Sequence, residues 1–162
     1  MKLPENDYQI LRLTDLFYND YTDPPYKEIL KKKKRAYNCL LFQTHYNYFI
    51  CIPYRSEITH PFSYLFKKSS RSKTHKSGLD YTKILIINKT KYIDNKDAII
   101  DQDEYNETVK NLSEIKKKAL EYVEDYVAHV NKTCIIHPAE FKRKYGFSTL
   151  RYFHEELGLE KK

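Results

Sequence analysis

Between residues 55 and 83 the chain concentrates side chains able to hold a phosphate or move a proton. They are Arg55, Ser56, His60, Lys67, Lys68, Ser70, Arg71, Ser72, Lys73, His75, Lys76, Ser77 and Lys83. Guanidinium and ammonium groups stabilise charge on phosphoryl oxygens, imidazoles exchange protons near neutral pH, and hydroxyls orient an anion. This inventory suits cleavage of RNA, whose 2′-hydroxyl is its own nucleophile. A protein then has only to align that hydroxyl with the adjacent phosphorus, accept its proton, stabilise the phosphorane-like charge and protonate the leaving 5′-oxygen. On this reading Arg55, Arg71, Lys76 and Lys83 stabilise charge, and His60 or His75 exchanges protons. Ser56, Ser70, Ser72 and Ser77 would orient phosphate oxygens. A loop serine more often closes a local turn, and a loop histidine is more often simply solvated. The weight therefore rests on the concentration of these groups, not on any single one.

Other chemistries find little support. The sequence has no Walker loop, no G-x-G-x-x-G, no G-x-S-x-G and no H-E-x-x-H, and its three glycines leave little from which to build a nucleotide cradle. The six histidines show no spacing with acids or cysteines that would mark a metal site, so no metal and no cofactor are expected. Cys39, Cys51 and Cys134 form no C-x-x-C pair, and the first two lie in apolar runs, which fits a reduced, cytoplasmic setting. No apolar signal core and no stretch of membrane-spanning length is present, so no membrane association is expected.

Lys and Arg number 29 against 22 acids, a net charge of +7, which favours a polyanionic partner, nucleic acid before an anionic membrane surface. The densest run, Lys31, Lys32, Lys33, Lys34 and Arg35, exceeds what a helix end needs and is expected to grip phosphates without reading bases. The chain has 16 Tyr, 8 Phe and no Trp. Biased composition explains much of that, so only tyrosines within basic segments are assigned a role. Tyr64 and Tyr81 are expected to stack on bases. Lys67, Lys68, Ser70, Arg71, Lys73, His75 and Ser77 are expected to contact the RNA beside them.

The elements that must position these groups follow from periodicity. Residues 36–42 and 48–54 read as a strand pair joined by a polar hairpin at 43–47, and 82–87 as a returning strand. Residues 8–13 read as a first strand, and 15–20 as a helical turn directing Leu16 and Phe17 inward. Pro25 opens a helix that runs toward the lysine run. Residues 92–93 and 98–100 read as short apolar pieces of an edge strand. From Glu104 to Val130, apolar residues at 105, 109, 112, 115, 119, 122, 126 and 130 predict one long amphipathic helix. Lys110, Glu114, Lys117, Lys118, Glu121 and Asp125 would face water. Pro138 starts a helix to Lys144, and Ser148 caps another from Thr149 to Leu157 that Gly158 closes. Phe141, Tyr145, Phe147, Leu150 and Phe153 are expected to pack inward. The whole of 1–162 reads as one α+β domain.

The stretch from Tyr48 to Ile87, with I-P-Y-R-S-E-I-T-H followed by S-S-R-S-K-T-H-K-S-G-L-D-Y-T-K-I-L-I-I, resembles the type III toxin–antitoxin ribonucleases. The likeness is to the CptN and TenpN branch of the ToxN/AbiQ group. It implies a compact, strongly bent antiparallel sheet of the Kid/MazF-related ToxN-like kind, with a long amphipathic helix and further C-terminal helices. It also implies a metal-independent, sequence-preferring endoribonuclease of cellular mRNA that leaves 2′,3′-cyclic phosphate and 5′-hydroxyl ends. Such toxins are inhibited by a repetitive pseudoknot RNA antitoxin, which they process and bind in a closed protein–RNA assembly. The family's second strand ends in Thr-Ser-Pro-Lys. Here Tyr54-Arg55-Ser56-Glu57 stands there, so Ser56 matches the serine, Arg55 replaces the threonine, and no lysine comes after. The missing cation would then come from Arg55, Lys76 or Lys83. Two other readings use the same basic surface: a non-catalytic RNA-binding module, and a Kid/MazF-like ribonuclease toxin neutralised by a protein antitoxin.

Overall fold

The computed structural model describes residues 8–30, 37–94 and 96–159. The basic run 31–35 and Ala36 lie outside the described residues. The fold is α+β. In chain order its elements are β1 (Tyr8–Leu11), α1 (Asp15–Asp20), β2 (Cys39–Gln43), β3 (Phe49–Arg55), β4 (Ser63–Leu65), β5 (Gly78–Asp80), β6 (Leu85–Ile87), α2 (Gln102–Lys110), α3 (Leu112–Val130) and α4 (Pro138–Tyr145). The six strands form an antiparallel sheet in the order β1-β2-β3-β5-β4, with β6 also paired to β3.

β3 is the strand on which the rest depends. One edge pairs with β2 over Phe49–Pro53, from Gln43 opposite Phe49 to Cys39 opposite Pro53. The other edge changes partner: Phe49–Cys51 pair with β6, and Tyr54–Arg55 pair with β5. The exchange falls at Ile52–Pro53, where proline has no N–H to give a second ladder. Pro53 thus divides the sheet and turns the end of β3 toward β5 and β4. Gly78 permits the close approach there. A Cβ at Gly78 would stand 1.9 Å from the Tyr64 carbonyl oxygen, so only glycine lets β4 lie against β5 opposite Arg55.

The strand interiors read as expected. Leu11, Leu40, Leu41, Ile50, Ile52, Leu79, Ile86 and Ile87 are buried in one core with Phe17, Ile115, Ala119, Val123, Leu150 and Phe153. Cys39 and Cys51 are free, buried thiols in facing strands, and Cys134 is exposed. Among the described residues, no helix is long and apolar enough to cross a membrane.

Several expectations are corrected. Leu16 faces out while Phe17 is fully buried. Residues 21–30 form turns, not a helix opened by Pro25. The 82–87 strand is shortened to β6, because Tyr81–Lys83 wind into a single 3-10 turn. Thr90–Tyr92 form a 3-10 turn, and residues 98–100 hold no strand, with Ile99 92% exposed. The predicted long helix breaks at Asn111 into α2 and α3. α3 keeps the apolar stripe through Ile115, Ala119, Tyr122 and Tyr126, and all six polar residues assigned to the wet face are exposed. α2 does not follow the stripe: Tyr105 and Val109 point out, while Glu104, Glu107 and Thr108 are buried. Its inner face is polar because it carries the basic loop. Thr149–Tyr152 form a 3-10 turn instead of an α-helix to Leu157. Phe147 is 78% exposed and does not pack inward.

Candidate functional site

The end of β3 delivers Arg55 to the fully buried carboxylate of Asp80, with Nη1 2.8 Å from Oδ2. Asp80 closes β5 and caps the next turn. Its Oδ1 accepts from the Thr82 backbone N–H at 2.9 Å and from the Thr82 hydroxyl at 2.6 Å. An aspartate two residues before the first free N–H of a turn is the usual N-cap arrangement. Here it also aims the turn. His60 approaches the same Oδ1 with Nε2 at 3.1 Å. One buried anion therefore gathers Arg55, His60 and Thr82.

The imidazole of His60 has no nitrogen to spare. Nδ1 accepts from the Phe62 backbone N–H at 3.1 Å, so the proton belongs on Nε2, facing Asp80. His60 thus clamps Asp80 and the 60–62 turn instead of shuttling protons, a correction to the expectation that it exchanges protons. Lys83, last in the capped turn, is half-buried and donates from Nζ to the Phe147 carbonyl at 2.9 Å. Burial lowers its pKa below the ordinary lysine value, and Arg55 and Arg151 add to that, opposed by Asp80 and Glu28.

On the solvent side of the β3 end, Ser56 is half-buried and Glu57 adopts a left-handed backbone, φ 60°. A bulky residue there carries strain of about 1–3 kcal/mol, which the surrounding structure must hold in place. Two contacts hold it: the Ile58 N–H donates to the Lys76 carbonyl at 2.8 Å, and the Glu57 carboxylate engages His75 Nδ1. His75 and Glu57 are both exposed, so a carboxylate-oriented imidazole stands open to solvent. Lys76 is exposed at the same place.

The loop from Lys67 to Ser77 is mounted on α2. The Glu107 carboxylate accepts from the backbone N–H groups of Lys67 and Lys68 at 3.0–3.1 Å and from the Tyr64 hydroxyl at 2.8 Å. Asp103 accepts from Ser70 N–H at 2.8 Å, which keeps that carboxyl below its usual range. Arg71 reaches Asp101 at 3.3 Å, and the buried Ser77 hydroxyl points to Glu104 at 3.5 Å. Ser72 turns back onto the Ser69 carbonyl. Ser77 is therefore a structural contact, not a phosphate ligand, because burial removes it from solvent. Tyr81 is likewise 7% exposed, so its ring offers no open face to a base. Tyr64 is half-buried and tied to Glu107. Lys67, Lys68, Lys73 and Lys76 remain exposed and make no ion pair with described residues.

A cleft of about 370 Å³ opens beside His60, between Phe62, Tyr64 and Tyr81 on one side and Glu114, Lys118 and Tyr122 of α3 on the other. Glu121 and Asp125 also line it, so it presents more acids than lysines and does not suit a phosphate.

Of the expected catalytic residues, Arg55 and Lys83 are brought together around Asp80. Ser56 adjoins them, Lys76 lies with the His75–Glu57 pair, and His60 acts through Asp80. Sequence reasoning missed Asp80, Thr82 and Glu57; the D-x-T cap after G-L was the available signal for the first two. Among the described residues, no three His, Cys, Asp or Glu side chains stand together as a metal site requires. Comparison with protein-family models, curated proteins and solved structures finds no match to this chain.

Proposed function

We propose that the chain is an endoribonuclease that cleaves RNA by 2′-hydroxyl attack without a metal ion. The observation that carries this is the meeting, at the end of β3, of Arg55 with a half-buried lysine of lowered pKa. Arg55 is held by the buried Asp80 and binds the scissile phosphate. Lys83, uncharged more often than a solvated lysine, accepts the 2′-hydroxyl proton as that oxygen bonds to phosphorus. The P–O5′ bond breaks, and His75, oriented by Glu57, gives a proton to the departing oxygen. The products are a 2′,3′-cyclic phosphate and a 5′-hydroxyl. Ser56 orients a phosphate oxygen beside Arg55, and Lys76 adds positive charge.

Within that reading, the Tyr54–Glu57 and Gly78–Ile87 motifs favour a toxin of a type III toxin–antitoxin system with a ToxN-like fold. It would act on cellular mRNA in the cytoplasm and be held inactive by a pseudoknot-repeat RNA antitoxin that it processes and binds in a closed assembly. No DNA or membrane partner is proposed. The test is cleavage of a long transcript in excess chelator, with the ends mapped, using wild type, Arg55→Ala, Lys83→Ala and His75→Ala. Cyclic-phosphate ends lost in the first two variants support the assignment. His75→Ala should regain its rate on a substrate with a 5′-thio leaving group, which needs no proton. Undiminished cleavage by Arg55→Ala with Lys83→Ala combined rejects the site, and salt-sensitive binding without cleavage in the wild type marks a non-catalytic RNA-binding module.

A further inference from the structure

Phe147 lies in the turn between α4 and the 149–152 segment with 78% of its surface exposed, the most open aromatic ring among the described residues. A phenylalanine left in water forgoes most of the stabilisation its burial would bring, so its exposure calls for a reason. The turn beneath it is not loose. Gly146 N–H donates to the Lys142 carbonyl at 2.9 Å and Ser148 N–H to the Tyr145 carbonyl at 3.1 Å. The Ser148 hydroxyl caps Leu150 N–H at 3.1 Å, and the Thr149 hydroxyl donates to the Ile84 carbonyl. Lys83 donates to the Phe147 carbonyl, and Arg151 donates to those of Gly146 and Ser148. The backbone that carries an exposed apolar ring is thus fixed beside Lys83 and Arg151. Arg143 of α4, four residues before Phe147, stands 5.1 Å from the ring centroid of Phe62, the residue that secures His60.

An exposed ring on a fixed turn, bordered by cations, matches one ligand, a single-stranded polynucleotide, whose bases offer π-faces while its phosphates meet the cations. We propose that Phe147 stacks on an unpaired nucleobase next to the scissile phosphate and so fixes the strand relative to Arg55 and Lys83. This rests on the ribonuclease reading above and adds a base subsite to it.

The chain has no tryptophan, so Phe147→Trp places a single indole at the position. Titration with a 2′-O-methyl oligoribonucleotide, which cannot be cleaved, should quench that indole, whereas inorganic polyphosphate should bind without quenching it. Phe147→Ala should keep the thermal midpoint of the wild type, because the ring is exposed. It should weaken oligonucleotide binding about ten- to one-hundred-fold, the usual effect of deleting a stacking ring. Phe147→Tyr should restore binding and Phe147→Leu should not. Unquenched indole fluorescence of Phe147→Trp with oligonucleotide bound, or full affinity in Phe147→Ala, overturns the stacking role and leaves the ribonuclease reading standing. If the wild type neither binds nor cleaves RNA, the ribonuclease reading fails and the subsite fails with it.

Discussion

A double-mutant cycle on Arg55 and Asp80 measures the joint that holds the site together. Asp80 is fully buried and accepts from Arg55, His60 and both donors of Thr82. Asp80→Asn replaces one acceptor oxygen with a donor, so a facing group of Arg55 or Thr82 loses its partner. Breaking a buried charge pair from one side costs about 3–5 kcal/mol, and one hydrogen bond to a charged group contributes about 1.5–3 kcal/mol. Asp80→Asn should therefore cost about 3 kcal/mol, near the foot of the first range, since no charge is left behind in the core. Arg55 keeps 30% of its side chain in water, and three donors still cover Asp80 without it. Arg55→Ala should then cost about 2 kcal/mol. The double variant should cost about 3 kcal/mol instead of the additive 5, a coupling of about 2 kcal/mol. Against a typical stability of about 5–15 kcal/mol, all three variants remain folded at 25 °C. Urea unfolding followed by far-ultraviolet circular dichroism and by tyrosine fluorescence gives the energies and checks that one transition is seen. A coupling within about 0.5 kcal/mol of zero means the two side chains act independently, and the argument that Asp80 holds Arg55 in place fails.

Four further outcomes rest on named contacts. Lys83 has a lowered pKa, so the unfolded chain binds the extra proton between that value and the ordinary 10.5, and both stability and cleavage should rise with pH as Lys83 deprotonates; a pH–rate profile whose rising limb survives in Lys83→Arg would remove Lys83 as the base. Burial raises the Glu104 pKa above its ordinary 4.5, so this group contributes stability at low pH that is lost as pH rises through the folded value. Glu104→Gln should therefore raise the urea midpoint at pH 7 and lose its advantage below pH 4.5, and an advantage that persists there refutes the account. Glu57→Gly should stay within about 1 kcal/mol of wild type, because relief of the left-handed strain offsets glycine's chain entropy. Cleavage by the same variant should fall about tenfold or more as His75 loses its carboxylate, and unchanged turnover counts against the pair. For RNA binding, each of Lys67, Lys68 and Lys73 that touches a phosphate should lower the salt slope by about 0.7 when changed to Gln, and an unchanged slope excludes it.

The features legible in the sequence were those that depend on local pattern. Alternating and continuous apolar runs in β2 and β3 were plain, as were Pro138 and Ser148 as starts of turns. The α3 stripe was visible because its inner face meets an apolar core. α2 was misjudged for the opposite reason. Its inner face meets the backbone of a basic loop, so burial selects Glu104, Glu107 and Thr108, and periodicity of apolar residues points the wrong way there. The divided pairing of β3 lay in Pro53, whose missing N–H becomes meaningful only once two partners compete for one edge. Arg55 and Lys83 could be chosen by residue type. Their meeting depends on β5 bringing Asp80 alongside β3, a non-local pairing that composition does not encode.

The same contacts relocate the chain's effective positive charge. Between residues 67 and 77 stand Lys67, Lys68, Arg71, Lys73 and Lys76, but Asp101, Asp103, Glu104 and Glu107 lie against that loop and accept from its backbone, its arginine or the Ser77 hydroxyl. Over a few ångströms those carboxylates offset most of the loop's charge, and their field reaches an approaching polyanion within one Debye length, about 8 Å at physiological salt. At the end of β3 the balance differs. Arg55 and Arg151 both act on Lys83 there, and the carboxylates that oppose them at Lys83 are Asp80 and Glu28. Asp80 is fully buried, and Glu28 is engaged by the Tyr152 hydroxyl. A phosphate at Arg55 would therefore meet Asp80, Glu28 and the exposed Glu57, three carboxylates against the four beneath the loop, although the loop holds more lysines. The number of cations in a segment is a poor guide to where an anion binds when carboxylates from a distant helix lie beneath it.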